Sequence, residues 1–284
     1  MRLEDRFSWG GQTYLMGVIN VTPDSFSGDG LLVRGDWVEA AIEQGLRLVA
    51  DGAHILDVGG ESTRPGAGPV SAREELRRVV PVVEALSVLA DVPVSIDTTK
   101  AEVAAAALDA GAAMINDVSG LRADPEMAPL AAERKAPVVL AHNPAARSSE
   151  VAVPPASDDV LIDRVRRELG GLLEGAIARG VDERQIVLDP GIGFSRTVEE
   201  NLALLDNLGR LRDLGRPLLI GPSRKPFIGF ALDLPPDEQV EGSAGAAAVG
   251  IVRGVDILRV HDVRPLARIA RMVDAIVRRD GARG

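Results

Sequence analysis

With 284 residues, 46% apolar and 26% charged, the chain has the make-up of a globular protein long enough for one barrel-sized domain, and no apolar run reaches the roughly 18 residues that cross a bilayer. A net charge of −10 argues against nucleic acid as a bulk partner, since no basic excess is there to displace phosphate counterions, and zero cysteines exclude disulfides, thiolate catalysis and Cys-ligated zinc. Three scattered histidines leave any metal to hard oxygen ligands, and no apolar leader follows the mixed charges of Met1 to Arg6, so a soluble, cytoplasmic protein with no membrane partner is expected.

In chain order, short apolar runs that end in polar or glycine-rich breaks alternate with longer helical patterns. The runs are Tyr14 to Asn20, His54 to Val58, Val92 to Asp97, Ala113 to Asn116, Pro137 to His142, Gln185 to Asp189, Pro217 to Gly221 and Val255 to His261. Between them lie patterns with helical periodicity, such as Trp37-Ala41-Ile42-Leu46-Leu48-Val49 and Leu161-Val165-Leu169-Leu172-Leu173. Eight such units in about 250 residues predict a closed, single-domain (β/α)8 TIM barrel; an open Rossmann sheet would carry a G-x-G-x-x-G turn, and none follows these strands. Residues 1–13 precede the first strand as an extension expected to cap the barrel. Ser148 to Asp159, with Pro154-Pro155, reads as a long loop after the fifth strand.

Every run ends in polar chemistry: Asn20, Glu61 in Gly-Gly-Glu-Ser-Thr-Arg, Asp97, Asn116, His142, Asp189, Ser223 with Lys225, and His261. A barrel brings these ends to one mouth, where active sites sit. For any single position the alternative is an N-cap for the following helix; basic residues cannot serve that purpose, so capping does not account for the set. Asn20 to Gly30 has the make-up of a lid offering oxygen ligands to Mg2+, or of an ordinary Asp/Gly turn. Gly59 to Gly66 carries an arginine fork suited to a phosphate, and Gly221 to Pro226 opens a helix whose start attracts an anion. Lys225 beside Arg224 is one of only three lysines among 32 basic residues, which marks either a wanted ammonium or an incidental surface group.

Seven ordered segments, 20–26 (Asn-Val-Thr-Pro-Asp-Ser-Phe), 59–66, 95–98 (Ser-Ile-Asp-Thr), 116–120 (Asn-Asp-Val-Ser-Gly), 189–194 (Asp-Pro-Gly-Ile-Gly-Phe), 223–225 (Ser-Arg-Lys) and 259–263 (Arg-Val-His-Asp-Val), resemble the dihydropteroate synthases, a family of pterin-binding barrels. The resemblance runs from about Leu15 to Val263. It implies condensation of 6-hydroxymethyl-7,8-dihydropterin diphosphate with p-aminobenzoate to 7,8-dihydropteroate and pyrophosphate, with Mg2+ as cofactor and a homodimer formed through the later helices. Carried over by motif, Asp97, Asn116, Asp189 and Lys225 would meet the polar edge of the pterin, with Arg259 over its face. Asn20 would hold Mg2+ against the diphosphate, while Thr63, Arg64, Arg259 and His261 would take its remaining charge. Asp97, Lys225, Arg259 and His261 would carry the catalysis. Pro65, Phe194 and Ser223 would receive p-aminobenzoate; Phe194 can equally be core.

The chain departs from the family where Ser27-Gly28-Asp29-Gly30 shifts the lid carboxylate by one position and where His142-Asn143-Pro144-Ala145 replaces the usual His-Met-Gln-Gly. Two rival readings follow: a barrel that transfers a methyl group from methyltetrahydrofolate, and a non-catalytic pterin-binding paralogue.

Overall fold

In the computed structural model, which describes residues 2–22, 37–62, 68–144 and 157–278, the apolar runs pair as parallel strands. They are β1 (Tyr14–Asn20), β2 (Ile55–Gly59), β3 (Val94–Asp97), β4 (Met114–Asp117), β5 (Val138–Ala141), β6 (Ile186–Asp189), β7 (Leu219–Ile220) and β8 (Ile257–Val260), in the order β6-β5-β4-β3-β2-β1-β8-β7. The two edges meet through a parallel bridge between Leu188 and Leu218 and the N–H of Leu188 donating to Pro217 O, so the predicted eight-stranded barrel is what forms.

The first strand has its expected bounds, the second and fourth are shifted by one residue, and several others are shorter than expected, with proline setting the bound at β3 and β7. β7 is pared to two residues between Pro217 and Pro222, which lack the N–H a ladder needs, and β3 starts after Pro93.

The connecting helices are α1 (Trp37–Ala50), α2 (Ala72–Leu89), α3 (Ala101–Asp109), α4 (Met127–Arg134), α5 (Asp158–Ala178) and α6 (Val198–Asp206), then α7 (Pro226–Leu232), α8 (Val240–Val252) and α9 (Val263–Val277). Their starts follow local chemistry: Ser71 accepts from the N–H of Glu74 ahead of α2, and Thr197 and Glu200 form a reciprocal capping box at α6. Ser157 caps α5 in the same way, so Asp158 and Asp159 lie in its first turn and not in the long loop expected there; residues 148–156 of that loop lie outside the described residues. Among the described residues no helix is long and apolar enough to cross a membrane.

Because side chains alternate along a strand, each strand serves two cores. The outward positions, Leu15 and Ile19 on β1, Leu56 and Val58 on β2 and Leu188 on β6, pack against the helices. The inward positions, Tyr14, Met16, Ile55, Met114, Val139, Val187, Leu219 and Ile257, fill the lower barrel together with Leu3 and Phe7 from the N-terminal segment. Leu3 N donates to Gln185 Oε1 (3.2 Å), Gly10 N donates to Asp256 Oδ1 (3.2 Å), and Phe7 and Tyr14 meet edge to face. Apolar side chains therefore occupy the N-terminal half of the interior, and whatever is polar inside must lie at the other end.

Candidate active site

Moving two residues along each strand from that apolar layer reaches the next inward position, and there the chemistry changes. Ile55 gives way to Asp57, Met114 to Asn116, Val187 to Asp189 and Ile257 to Arg259, while β3 contributes Ser95 and then Asp97. The alternation that builds the core thus also aims the polar groups into the barrel.

Three of these strands are tied by one guanidinium. Arg259 donates through Nε to Asp57 Oδ2 (2.6 Å) and through Nη2 to Asp97 Oδ2 (2.7 Å). Asn116 Nδ2 donates to the same Asp57 oxygen (2.9 Å). Burial drives the Asp97 carboxyl up to about 7 against the pull of Arg259, with the negative charges of Asp57, Glu75 and Asp117 pushing the same way as burial. Asp189, which accepts from Gly191 N (2.7 Å), is likewise raised by burial.

Across the mouth, burial and the nearby Arg259 charge bring the Lys225 ammonium down to about 8, although Asp189 and Asp97 favour its charged form. Its Nζ lies 3.9 Å from the centre of the Phe194 ring, a cation–π contact. Phe194 is half-buried, so it belongs to the site wall and not to the core. Two glycines shape the turn that carries Phe194. Gly191 (φ +76°) passes against His142 O, and at Gly193 (φ +82°) a Cβ would stand 2.6 Å from Lys225 Cδ.

His261 and Ser223 share the rim: the backbone N–H of His261 donates to Ser223 Oγ (3.3 Å), and its Nδ1 lies 3.2 Å from the same hydroxyl. Ser223 is buried, so it lies beneath His261 and not openly at the start of α7, whose first residue, Pro226, offers no N–H. Arg224 turns away and grips Asp262 through Nε and Nη2. Asn20 ends β1 on the inward register of Met16, half-exposed. Thr63, Arg64, Pro65, Phe26 and Asp29 lie outside the described residues.

Three arrangements escaped the sequence reading. Asp57 sits inside β2, fully buried, whereas the strand-end survey took Glu61 as that strand's polar group; a lone Asp amid Ile-Leu-Asp-Val was the available signal. Glu61 instead pairs with Lys100 Nζ, which also donates to the buried Glu75 (2.6 Å), and accepts from Val70 N (3.0 Å). His142, a strand end without a role, places Nε2 against Glu168 (2.5 Å) and Nδ1 against Arg196 Nη2 (2.6 Å), and Arg196 also donates to Gly191 O. Desolvation lowers the His142 pKa, so the ring is neutral, donating to Glu168 and accepting from Arg196.

A buried ring of carboxylates and cations at the C-terminal mouth of a barrel has the make-up of an enzyme site for a polar ligand. The sequence profile of pterin binding enzymes matches residues 16–261, and the chain belongs to that family. The dihydropteroate synthase of Bacillus subtilis is 46% identical, over 96% of this chain and 92% of its own. The structure of the Clostridium difficile dihydropteroate synthase in the presence of pteroic acid superposes with a TM-score of 0.87 at 43% identity, covering 96% of this chain and 99% of that one. That of the Xanthomonas albilineans enzyme with 4-aminobenzoic acid gives 0.86 at 40%, covering 96% of each. Within its family the chain falls among the dihydropteroate synthases, transferases of folate synthesis.

Proposed function

We propose that the mouth of this barrel condenses 6-hydroxymethyl-7,8-dihydropterin diphosphate with p-aminobenzoate, releasing pyrophosphate. The observation that carries the reading is the ring of inward carboxylates, Asp57, Asp97 and Asp189, set among the described residues against the cations Arg259 and Lys225. Such a ring offers carboxylate acceptors in a desolvated space, which suits a heterocycle that donates N–H groups and turns cationic as its leaving group departs.

In this reading Asp189 and Asn116 take the pterin edge, Lys225 donates to its ring carbonyl, and Arg259 covers its face. Ionised Asp97 stabilises positive charge spread over the ring while the C–O bond to the diphosphate lengthens. The neutral arylamine then attacks the methylene carbon as the C–O bond breaks and sheds one N–H proton to the departing pyrophosphate or to water, so no activated nucleophile is needed. Arg259 and His261, with Thr63 and Arg64, receive the pyrophosphate. Phe194 and Pro65 flank the p-aminobenzoate ring, and Ser223, beside His261, lies toward its carboxylate.

Mg2+ fits Asn20, whose amide oxygen is a hard neutral ligand on the inward register; one protein oxygen suffices when diphosphate and water complete the shell. When bound there it would offset charge on the leaving group. We further read the chain as a single cytoplasmic domain whose residues 1–13 cap the barrel. We also read it as a homodimer: α6, α7 and α8 frame a groove lined by Leu202, Leu205, Phe227, Leu232 and Val249, of which Leu202, Leu232 and Val249 are exposed.

The test is pyrophosphate release by the full chain with Mg2+. Release that requires both the pterin diphosphate and p-aminobenzoate is expected. Pterin binding without release would replace this reading with that of a binding paralogue, and methyl transfer from methyltetrahydrofolate with that of the methyltransferase.

A further inference from the structure

Asp57 does more in this site than add a charge. It is fully buried inside β2, and its Oδ1 has no hydrogen-bond partner among the described residues, so its hold on the surroundings runs through Oδ2 alone. That one oxygen accepts from Arg259 Nε (2.6 Å) on β8 and from Asn116 Nδ2 (2.9 Å) on β4. A guanidinium held at Nε by one carboxylate and at Nη2 by another, Asp97, has its plane fixed. An asparagine whose NH2 faces an acceptor-only carboxylate has its amide orientation fixed as well, with Oδ1 turned away from Asp57.

We infer that Asp57 is a positioning residue of the pterin site, which through a single carboxylate oxygen sets the plane of Arg259 and the amide orientation of Asn116 so that both meet the ring in one arrangement. Without it the guanidinium is free to swing toward Asp97 and the amide to flip, and binding energy is then spent on ordering them. The charge of Asp57 also bears on Asp97, whose carboxyl is raised first by burial and then by Asp57, Glu75 and Asp117, with Arg259 opposing.

The inference rests on the synthase reading, and two variants of the full chain separate its failure from that of the reading. Asp57→Asn keeps an acceptor oxygen where Oδ2 stands but removes the charge; Asp57→Ala removes both. Pyrophosphate release is measured from pH 5 to 9 with each substrate varied in turn. For Asp57→Ala the KM for the pterin diphosphate should rise about tenfold and its kcat/KM fall by about 100-fold, as expected when a buried charged hydrogen bond is lost. The KM for p-aminobenzoate should stay within about twofold of wild type. Asp57→Asn should recover most of the pterin KM while its acid limb moves to lower pH, because a like charge beside Asp97 has gone. Equal rises in both KM values for Asp57→Ala, or an Asn variant with an unmoved acid limb, overturn the inference. If Asp57→Ala does not accumulate as folded protein, Asp57→Ser takes its place, and the same split between the two KM values decides. A wild-type chain that releases no pyrophosphate fails the synthase reading instead, whatever the variants do.

Discussion

Asp97 sits between one cation and several buried acids, and the balance leaves its carboxyl at about 7. Since the ionised form of Asp97 is the one that would stabilise a cationic ring and Lys225 would donate as its ammonium, kcat/KM should fall as pH drops through about 7 and fall again as it rises through about 8, as an initial-rate pH profile will show. Asp97→Ala should keep its circular dichroism spectrum and lose turnover by a factor on the order of 100 to 1,000, the usual consequence of removing a preorganised electrostatic partner. Near-normal activity would take Asp97 out of the mechanism. At Gly193, where a Cβ would meet Lys225 Cδ at 2.6 Å and φ is +82°, alanine should displace the lysine from Phe194 and raise the pterin KM with little change in expression. Which single residues reach the mouth was legible from strand ends and motif for Asp97, Asn116 and Asp189, and from motif alone for Arg259, which stands two residues before the strand end assigned to His261. Asp57 was hidden because it lies two residues before the end of its strand, and only the inward register, set by pairing with β3, reveals where it points. His142, Glu168 and Arg196 come from three elements, and no local pattern announces their contact.

At the scale of elements, Lys100 ties the loop after β2 to α2 and to the loop after β3, through Glu61 and Glu75. Glu75 is fully buried and Lys100 partly so, so removing the ammonium leaves an interior carboxylate uncompensated. Lys100→Met is expected to cost on the order of 3 kcal/mol in chemical denaturation, far more than an exposed ion pair such as Arg47 with Glu43 would. A loss below about 1 kcal/mol would mean that the strap carries little load. The alternation of strand and helix, and hence the barrel, was readable from periodicity, because inward and outward apolar positions repeat in every strand. Element ends were less so: Pro93 and Pro217 trim strands whose apolar runs continue through them, and Ser157 starts α5 inside a stretch whose composition resembles a loop.

For the whole molecule, the exposed apolar residues on α6 to α8 bear on assembly. Val249→Glu or Leu202→Glu should convert a dimer to a monomer in sedimentation velocity without unfolding it, since neither side chain is part of the barrel core; a wild-type monomer at micromolar concentration would refute the dimer. The other consequence concerns traffic. Leu3 and Phe7 lie among the inward side chains of the lower barrel, which makes the cavity a blind alley. Everything that enters by the mouth must leave by it, in reverse order of depth. On the proposed placement, a pterin lodged against Asp189 and Asn116 would have to arrive before the arylamine that would otherwise bar its way, and pyrophosphate, nearest the opening, would have to clear before the joined product could back out. A stopper far from any reacting atom thereby dictates a queue, and steady-state inhibition patterns will display it.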